Sequence, residues 1–380
     1  MKAAVLGYGT VGKGVHELLG KVQSFEQGPV LVREGKRTED FMVTDIREIL
    51  DDSTVDVVVE TTGAEAVAAS YAEKALRAGK HFVTSNKAMV ALRGIELSEL
   101  ARKEGKAFLF SAACGGAIPF LHNLTIARES DRIPGMSGIL NGTTNYILDL
   151  MQSEGVPFHT ALSQAQKLGY SEADPSADIS GTDSYRKILL ACAVTYGVQP
   201  DGYIDIEGIA AFTQKDAQAV ALHGGTVRLI ASGGLNDDGS VYAYVEPRVI
   251  FRGMERSVGK NFNCVSYTGM NSGTITLYGQ GAGRYPTASA VIRDITGITE
   301  GFLYMLPEKC ERKTEVNIKA ETYLVRCGCR QKDHFRVSEI WTEEDGEAVF
   351  ITEPVRVEEM HALAREMRNS GHGIFIASME

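Results

Sequence analysis

Gly7-Tyr8-Gly9-Thr10-Val11-Gly12 is the stretch whose reading decides the fold. It follows a short apolar run, Met1-Lys2-Ala3-Ala4-Val5-Leu6, and opens a segment, 11–19, with apolar residues at helical spacing. A GxGxxG between a strand and a helix has a mechanical logic. The first glycine permits a sharp turn, and the second lets a pyrophosphate approach the backbone. The third brings helix and sheet close, and the helix N-terminus then faces the phosphates. Alone the pattern is weak, and a glycine turn serving another ligand would look the same. Its setting adds weight. Strand patterns at 30–33, 55–60, 81–84 and 107–110 alternate with helical patterns at 64–78 and 88–103. Between them, 41–50 reads as a brief strand and a helix capped by Thr44 or Asp45. Such alternation predicts parallel crossovers and a doubly wound α/β sheet of the Rossmann type, holding a dinucleotide.

A site selective for NAD wants a carboxylate about 20 residues past the glycine loop, to accept from the ribose 2′-hydroxyl. Arg33 stands at that strand end, followed by Glu34, with Lys36 and Arg37 close behind. These charges favour the 2′-phosphate of NADP over NAD; the plain alternative is a solvated loop.

Composition bounds the rest. A chain of 380 residues exceeds one ordinary core, so two or three domains are expected. With 44% hydrophobic and 23% charged residues it reads as globular. A net charge of −10 argues against a general nucleic-acid binder, which needs excess Lys and Arg. No apolar run is long enough to span a membrane, and the opening strand is too short for a signal peptide, so a cytoplasmic protein is expected. Cys114, Cys192, Cys264, Cys310, Cys327 and Cys329 form no disulfide framework. Cys327 and Cys329 sit close but lack the second pair a zinc site requires, so reduced thiols are expected.

From about Ser111 the pattern changes. Helices are predicted at 146–152, 160–168 and 183–196, and strands at 226–232, 241–247 and 274–277, with Asn141-Gly142-Thr143-Thr144-Asn145 as a polar turn. This is an α+β unit. A glycine loop at 279–284 leads into a helix at 286–295, and 308–315 resembles a linker. The tail reads strand-strand-strand-helix-strand from 321 to 378. The expected domains are 1–115 for the dinucleotide, completed by about 280–305, then 116–280, then a small C-terminal α+β unit at 315–380.

Further motifs narrow the field: Ser85-Asn86-Lys87 after a strand, the run 139–148 around Asn141, Lys167-Leu168-Gly169-Tyr170-Ser171-Glu172-Ala173-Asp174-Pro175, and Asp178 through Lys187. With Gly281-Ala282-Gly283 and Pro286-Thr287-Ala288-Ser289 they run in order over roughly four-fifths of the chain. Together they closely resemble the homoserine dehydrogenases. The resemblance implies NAD(P)-linked interconversion of homoserine and aspartate 4-semialdehyde, and a homodimer built largely through the second domain's sheet, making 116–280 a catalytic and dimerisation domain.

The residues make that chemistry intelligible. Asp183 and Lys187 are four apart in a helical pattern, so both project from one face and can pair. Lys187 matches the lysine invoked for proton transfer, and Lys87 a second one. Glu172, Asp178 and Asp183, with Tyr170, match substrate-binding positions suited to an ammonium. The implied cofactor positions are Gly7, Gly9, Thr10, Val11, Gly12, Arg33, Thr62, Gly63, Ser85, Asn86, Lys87, Gly169, Gly281 and Gly283. The resemblance also implies a monovalent cation, sodium or potassium, on the backbone carbonyls of Cys114, Gly116 and Ile118. Here Ser111 replaces the glutamate expected at the start of that run, which counts against the ion. The tail departs from the βαββαβ order of the regulatory domain many relatives carry, so threonine feedback finds no support in it. Two rivals stand beside this reading. One is a thiol-dependent aldehyde dehydrogenase using Cys114; the other is a non-catalytic dinucleotide sensor, which would have no need of Lys87, Glu172, Asp183 and Lys187.

Overall fold

The structure is a computed structural model describing residues 1–201, 205–314 and 318–380; the expected boundary at Glu315 lies outside the described residues. The chain forms two compact units. Met1–Ser130, Ala193–Gln199 and Gly279–Arg312 make the first; Asp131–Cys192, Pro200–Tyr278 and Lys313–Glu380 make the second.

In the first unit, β1 (Lys2–Leu6), β2 (Glu26–Leu31), β3 (Met42–Val43), β4 (Val57–Glu60), β5 (His81–Thr84) and β6 (Phe108–Leu109) form one sheet in the order β3-β2-β1-β4-β5-β6. Every pairing is parallel. All four β4 residues are buried, as in a sheet covered on both faces. The order reverses between β1 and β4, and ligands of such sheets bind beyond the carboxyl ends of the strands at that reversal. Helix α1 (Thr10–Leu19) follows β1 directly.

The strand predicted at 30–33 lies earlier. Its register with β1 pairs Leu6 with Leu31, and the Gly7 N–H donates to the Leu31 carbonyl at 3.0 Å, so the strand ends there. Arg33 therefore begins a turn, closed by the Lys36 N–H on its carbonyl at 2.9 Å. The helix Arg284–Thr299 crosses α1 closely: a Cβ on Gly14 would lie 2.9 Å from Arg284 Cγ. The stretch read as a linker contains a strand, Glu311–Thr314, whose first N–H donates to the Gly197 carbonyl at 3.0 Å. Its charged side chains disguise a backbone ladder.

The second unit is built on a ten-stranded mixed sheet. Gly135–Ile139 lies between Phe262–Gly269 and Thr226–Leu235, and Val241–Ile250 follows. The tail strands continue this same sheet: Ile374–Met379 pairs with Val241–Ile250 in parallel, then come Tyr323–Gly328, Glu347–Thr352 and Val337–Glu344. Side chains reinforce that seam. The buried Glu246 carboxylate accepts from Tyr323 Oη at 2.9 Å and His361 Nε2 at 2.8 Å, and Arg248 Nε donates to Ser378 Oγ at 3.1 Å. The helix predicted to begin at 146 starts at Gly142, because Asn141 caps it and draws the polar turn into its first turn. Strand Phe262–Gly269 and helix Gln214–Leu222 escaped the pattern reading, although the latter carries a Thr213/Asp216 capping box.

Candidate active site

The glycine loop of the first unit is governed by backbone geometry. Gly7 has φ +94°, which L side chains avoid. A Cβ on Gly12 would sit 2.1 Å from the Gly7 carbonyl oxygen, so α1 approaches the loop as closely as it does only because Gly12 has none. A Cβ on Gly9, by contrast, would meet no protein atom within 4 Å. Nothing inside the protein demands glycine there; a group approaching from outside would. Gly9 is also the N-cap of α1 and offers no side-chain cap to the amides of Thr10, Val11 and their neighbours. These residues fit a dinucleotide pyrophosphate.

The neighbouring strand ends are organised by a residue that sequence reasoning missed. Glu60, fully buried, accepts from the Thr62 N–H and hydroxyl, both at 2.6 Å, and from Thr84 Oγ1 at 2.7 Å. It thereby fixes the loop bearing Thr62 and Gly63, and Thr84 Oγ1 accepts from the Asn86 N–H at 2.9 Å. Asn86 Oδ1 caps the helix Lys87–Lys103 through the Met89 N–H at 3.0 Å, while its Nδ2 is buried and unpartnered. Lys87 is the first residue of that helix, next to Ser85-Asn86. Arg33 is exposed on its turn, as are Glu34, Lys36 and Arg37. Gly281 packs against Gly116, whose Cβ would come within 2.5 Å of its carbonyl carbon, and Gly283 is the N-cap of Arg284–Thr299.

Three segments of the second unit assemble a polar cluster. Asp183 and Lys187 lie one turn apart on the helix Thr182–Tyr196, and their side chains meet at 2.7 Å. Lys187 Nζ also donates to the Leu140 carbonyl at 2.6 Å, at the end of the strand Gly135–Ile139. Both side chains are nearly buried, 10% and 14% exposed for lysine and aspartate. Asn141 joins the set: its Nδ2 donates to Asp178 Oδ1 at 2.7 Å and Asp183 Oδ2 at 2.9 Å. Its Oδ1 accepts from the Thr144 N–H at 2.9 Å, so one side chain caps a helix and clamps two carboxylates. Bringing two carboxylates together out of full contact with water is costly unless donors are supplied. Asn141 and Lys187 supply them here.

In sequence Asn141 carries only the signal of an N-cap after an apolar run, which does not announce a second duty. Tyr170 stands beside the helix Gly142–Glu154, its carbonyl accepting from Thr143 Oγ1 at 2.5 Å and its ring 5.2 Å from that of Tyr146. Gly169 and Glu172 belong to the same loop of the second unit, and the Glu172 side chain is exposed there. The structure thus brings together Asp178, Asp183 and Lys187, and leaves the Glu172 carboxylate in solvent. Cys114 is buried in the first unit.

The loop 111–119 does not suit a cation. Ser111 offers a hydroxyl in place of a carboxylate, the Ile118 carbonyl already accepts from the Phe120 N–H at 2.8 Å, and the Ala117 carbonyl accepts from Arg293 Nη2 at 2.8 Å. Among the described residues no cluster of three or more His, Cys, Asp or Glu is placed to hold a metal.

Comparison with known proteins bears on the whole arrangement. A family model described as the homoserine dehydrogenase NAD binding domain matches residues 7–111, and one described as homoserine dehydrogenase matches 119–296. The homoserine dehydrogenase of Bacillus subtilis is 35% identical over 316 residues, covering 78% of this chain and 72% of that protein. An NAD(+)-dependent homoserine dehydrogenase of Pseudomonas canavaninivorans is 36% identical over 256 residues, 66% of this chain and 72% of that one. The crystal structure of a homoserine dehydrogenase from Thiobacillus denitrificans aligns with a TM-score of 0.87 at 26% identity, over 100% of this chain and 98% of its own.

Proposed function

Because this chain belongs to the homoserine dehydrogenase family, we propose that its two units divide the reaction between them. The enzyme is an NAD(P)-linked oxidoreductase acting on a CH–OH group, interconverting homoserine and aspartate 4-semialdehyde, a step in threonine and methionine biosynthesis. When bound, the dinucleotide supplies or accepts the hydride. Residues 1–115, completed by about 280–305, hold it through Gly7, Gly9, Thr10, Val11 and Gly12, with Thr62, Gly63, Ser85, Asn86, Lys87, Gly169, Gly281 and Gly283 as further cofactor positions. The buried Asn86 Nδ2 is a donor awaiting an acceptor. NADP is the preferred form, with Arg33 pairing the 2′-phosphate.

Residues 116–280 bind substrate and move the proton. The observation that carries this reading is the Lys187 ammonium, fixed between a backbone carbonyl and the Asp183 carboxylate. In aldehyde reduction Lys187 gives a proton to the oxygen as hydride reaches the carbon; in alcohol oxidation it takes one back. Lys87 assists or polarises the oxygen. Asp178 and Asp183, already gathered by Asn141, hold the substrate ammonium, with Glu172 and Tyr170 contributed by the adjoining loop.

The cation loop takes no part in any step. The enzyme acts as a homodimer through the second unit's sheet, which the strands of the tail extend. A cytoplasmic location belongs to the same reading; among the described residues no helix is long and apolar enough to cross a membrane. The deciding experiment follows reduced dinucleotide by absorbance with homoserine and each cofactor in turn. Turnover with NADP exceeding that with NAD is expected. Turnover with neither defeats the reading, and faster turnover with NAD defeats the cofactor assignment.

A further inference from the structure

The loop 111–119 is held at both ends by two successive residues of the helix Arg284–Thr299, all within the first unit. At its start the Ser111 N–H donates to Asp294 Oδ2 at 2.9 Å; near its end the Ala117 carbonyl accepts from Arg293 Nη2 at 2.8 Å. Arg293 is partly desolvated by burial, and its Nη1 lies buried without a hydrogen-bond partner. A guanidinium screened from water acts strongly on the dipoles beside it, and the Ala117 carbonyl of the loop is one that it holds directly.

Asp294 does not offset that charge fully. It is completely buried, and burial raises its carboxyl to about 7, so near neutral pH much of it carries a proton. Ser111 adds no charge. Arg293 therefore sets a permanent positive charge against the end of the loop, while Asp294, its Oδ1 buried without a hydrogen-bond partner, is an acid whose charged form burial disfavours. A sodium or potassium ion entering the loop would be repelled by that guanidinium.

We propose that Arg293 is the built-in cation of the loop 111–119, a positioning residue that orders the loop's carbonyls so that the enzyme binds and requires no monovalent ion. The proposal rests on the enzymatic reading above but fails separately from it. Absence of homoserine turnover in every salt would count against that reading, whereas a salt effect on real turnover counts against this one.

The test measures kcat and thermal midpoint of the whole enzyme in sodium, potassium and tetramethylammonium chloride at equal ionic strength. Wild type is expected to agree within about twofold across the three. Saturable activation or stabilisation by sodium or potassium alone would overturn the proposal. Arg293→Ala should melt lower and turn over at least about tenfold more slowly in tetramethylammonium, with partial recovery when guanidinium, sodium or potassium is added. A folded alanine variant that matches wild type in all three salts would show that Arg293 has no such role. Should that variant not fold, Arg293→Lys keeps the charge and is expected to remain salt-indifferent; a lysine variant that needs sodium would equally contradict the idea.

Discussion

On the proposed reading, the glycine loop and the acid–lysine cluster each hold a charged ligand, in opposite ways. The first uses backbone amides at a helix N-terminus, and its side chains matter by their absence. The second uses the side chains of Asn141, Asp178, Asp183 and Lys187, steadied by the Leu140 carbonyl. A backbone site is a local steric requirement and so is written as a local pattern. A side-chain cluster is closed by tertiary contacts, and its organising member can stand anywhere in the chain. If this contrast is right, changes to the loop should strike cofactor binding and spare substrate chemistry, and changes to the cluster should do the reverse.

Among changes to the loop, the largest effect is expected at Gly12. A valine there would drive Cβ into the Gly7 carbonyl, which lies only 2.1 Å from its ideal position. Relief requires moving α1, at a cost on the order of 3 kcal/mol, about a hundredfold. Titration should show both NADP and NAD weakened together; unchanged affinity for both would mean that the loop does not bind the pyrophosphate.

Arg33→Ala comes next and sharpens the cofactor half. Losing charge-assisted bonds to a 2′-phosphate should weaken NADP about ten- to a hundredfold and leave NAD almost untouched. An equal loss for both would assign Arg33 to shaping the adenine pocket and overturn the NADP preference. Asn141→Ala attacks the other half. Loss of the cap should cost about 1 kcal/mol of stability, and KM for homoserine should rise roughly tenfold as Asp178 and Asp183 lose their common donor. Cofactor affinity should hold, and a cofactor defect in this variant would break the division. The smallest effect belongs to Cys114→Ser, which should keep activity within about twofold and yield no covalent adduct with the aldehyde. A trapped thioester would revive the thiol-dependent alternative.

What could be read without coordinates follows the same division. The six parallel strands and the glycine loop were legible because alternation and GxGxxG are local. Asp183 and Lys187 were legible as a one-turn pair. Asn141 was not, because two of its partners lie 37 and 42 residues away. Glu60 hid at the end of a valine strand, where a buried acid looks like a misprint until Thr62 and Thr84 are seen donating to it. The end of β2 moved because pairing with β1 fixes it, not because of its own composition. The tail's union with the central sheet was invisible for a related reason: Arg248 and Ser378 are 130 residues apart, and no periodicity encodes a strand's neighbour.

The most direct test of the account measures kcat for homoserine and the dissociation constant for NADP on one preparation of Lys187→Ala. Lys187 belongs to the cluster and not to the glycine loop, so kcat should fall at least about a hundredfold, the usual scale for losing a proton-transfer group. The NADP dissociation constant should stay within about twofold. Near-wild-type kcat would remove Lys187 from the proton transfer and move that role to Lys87, and a parallel collapse of NADP binding would contradict the separation of roles itself.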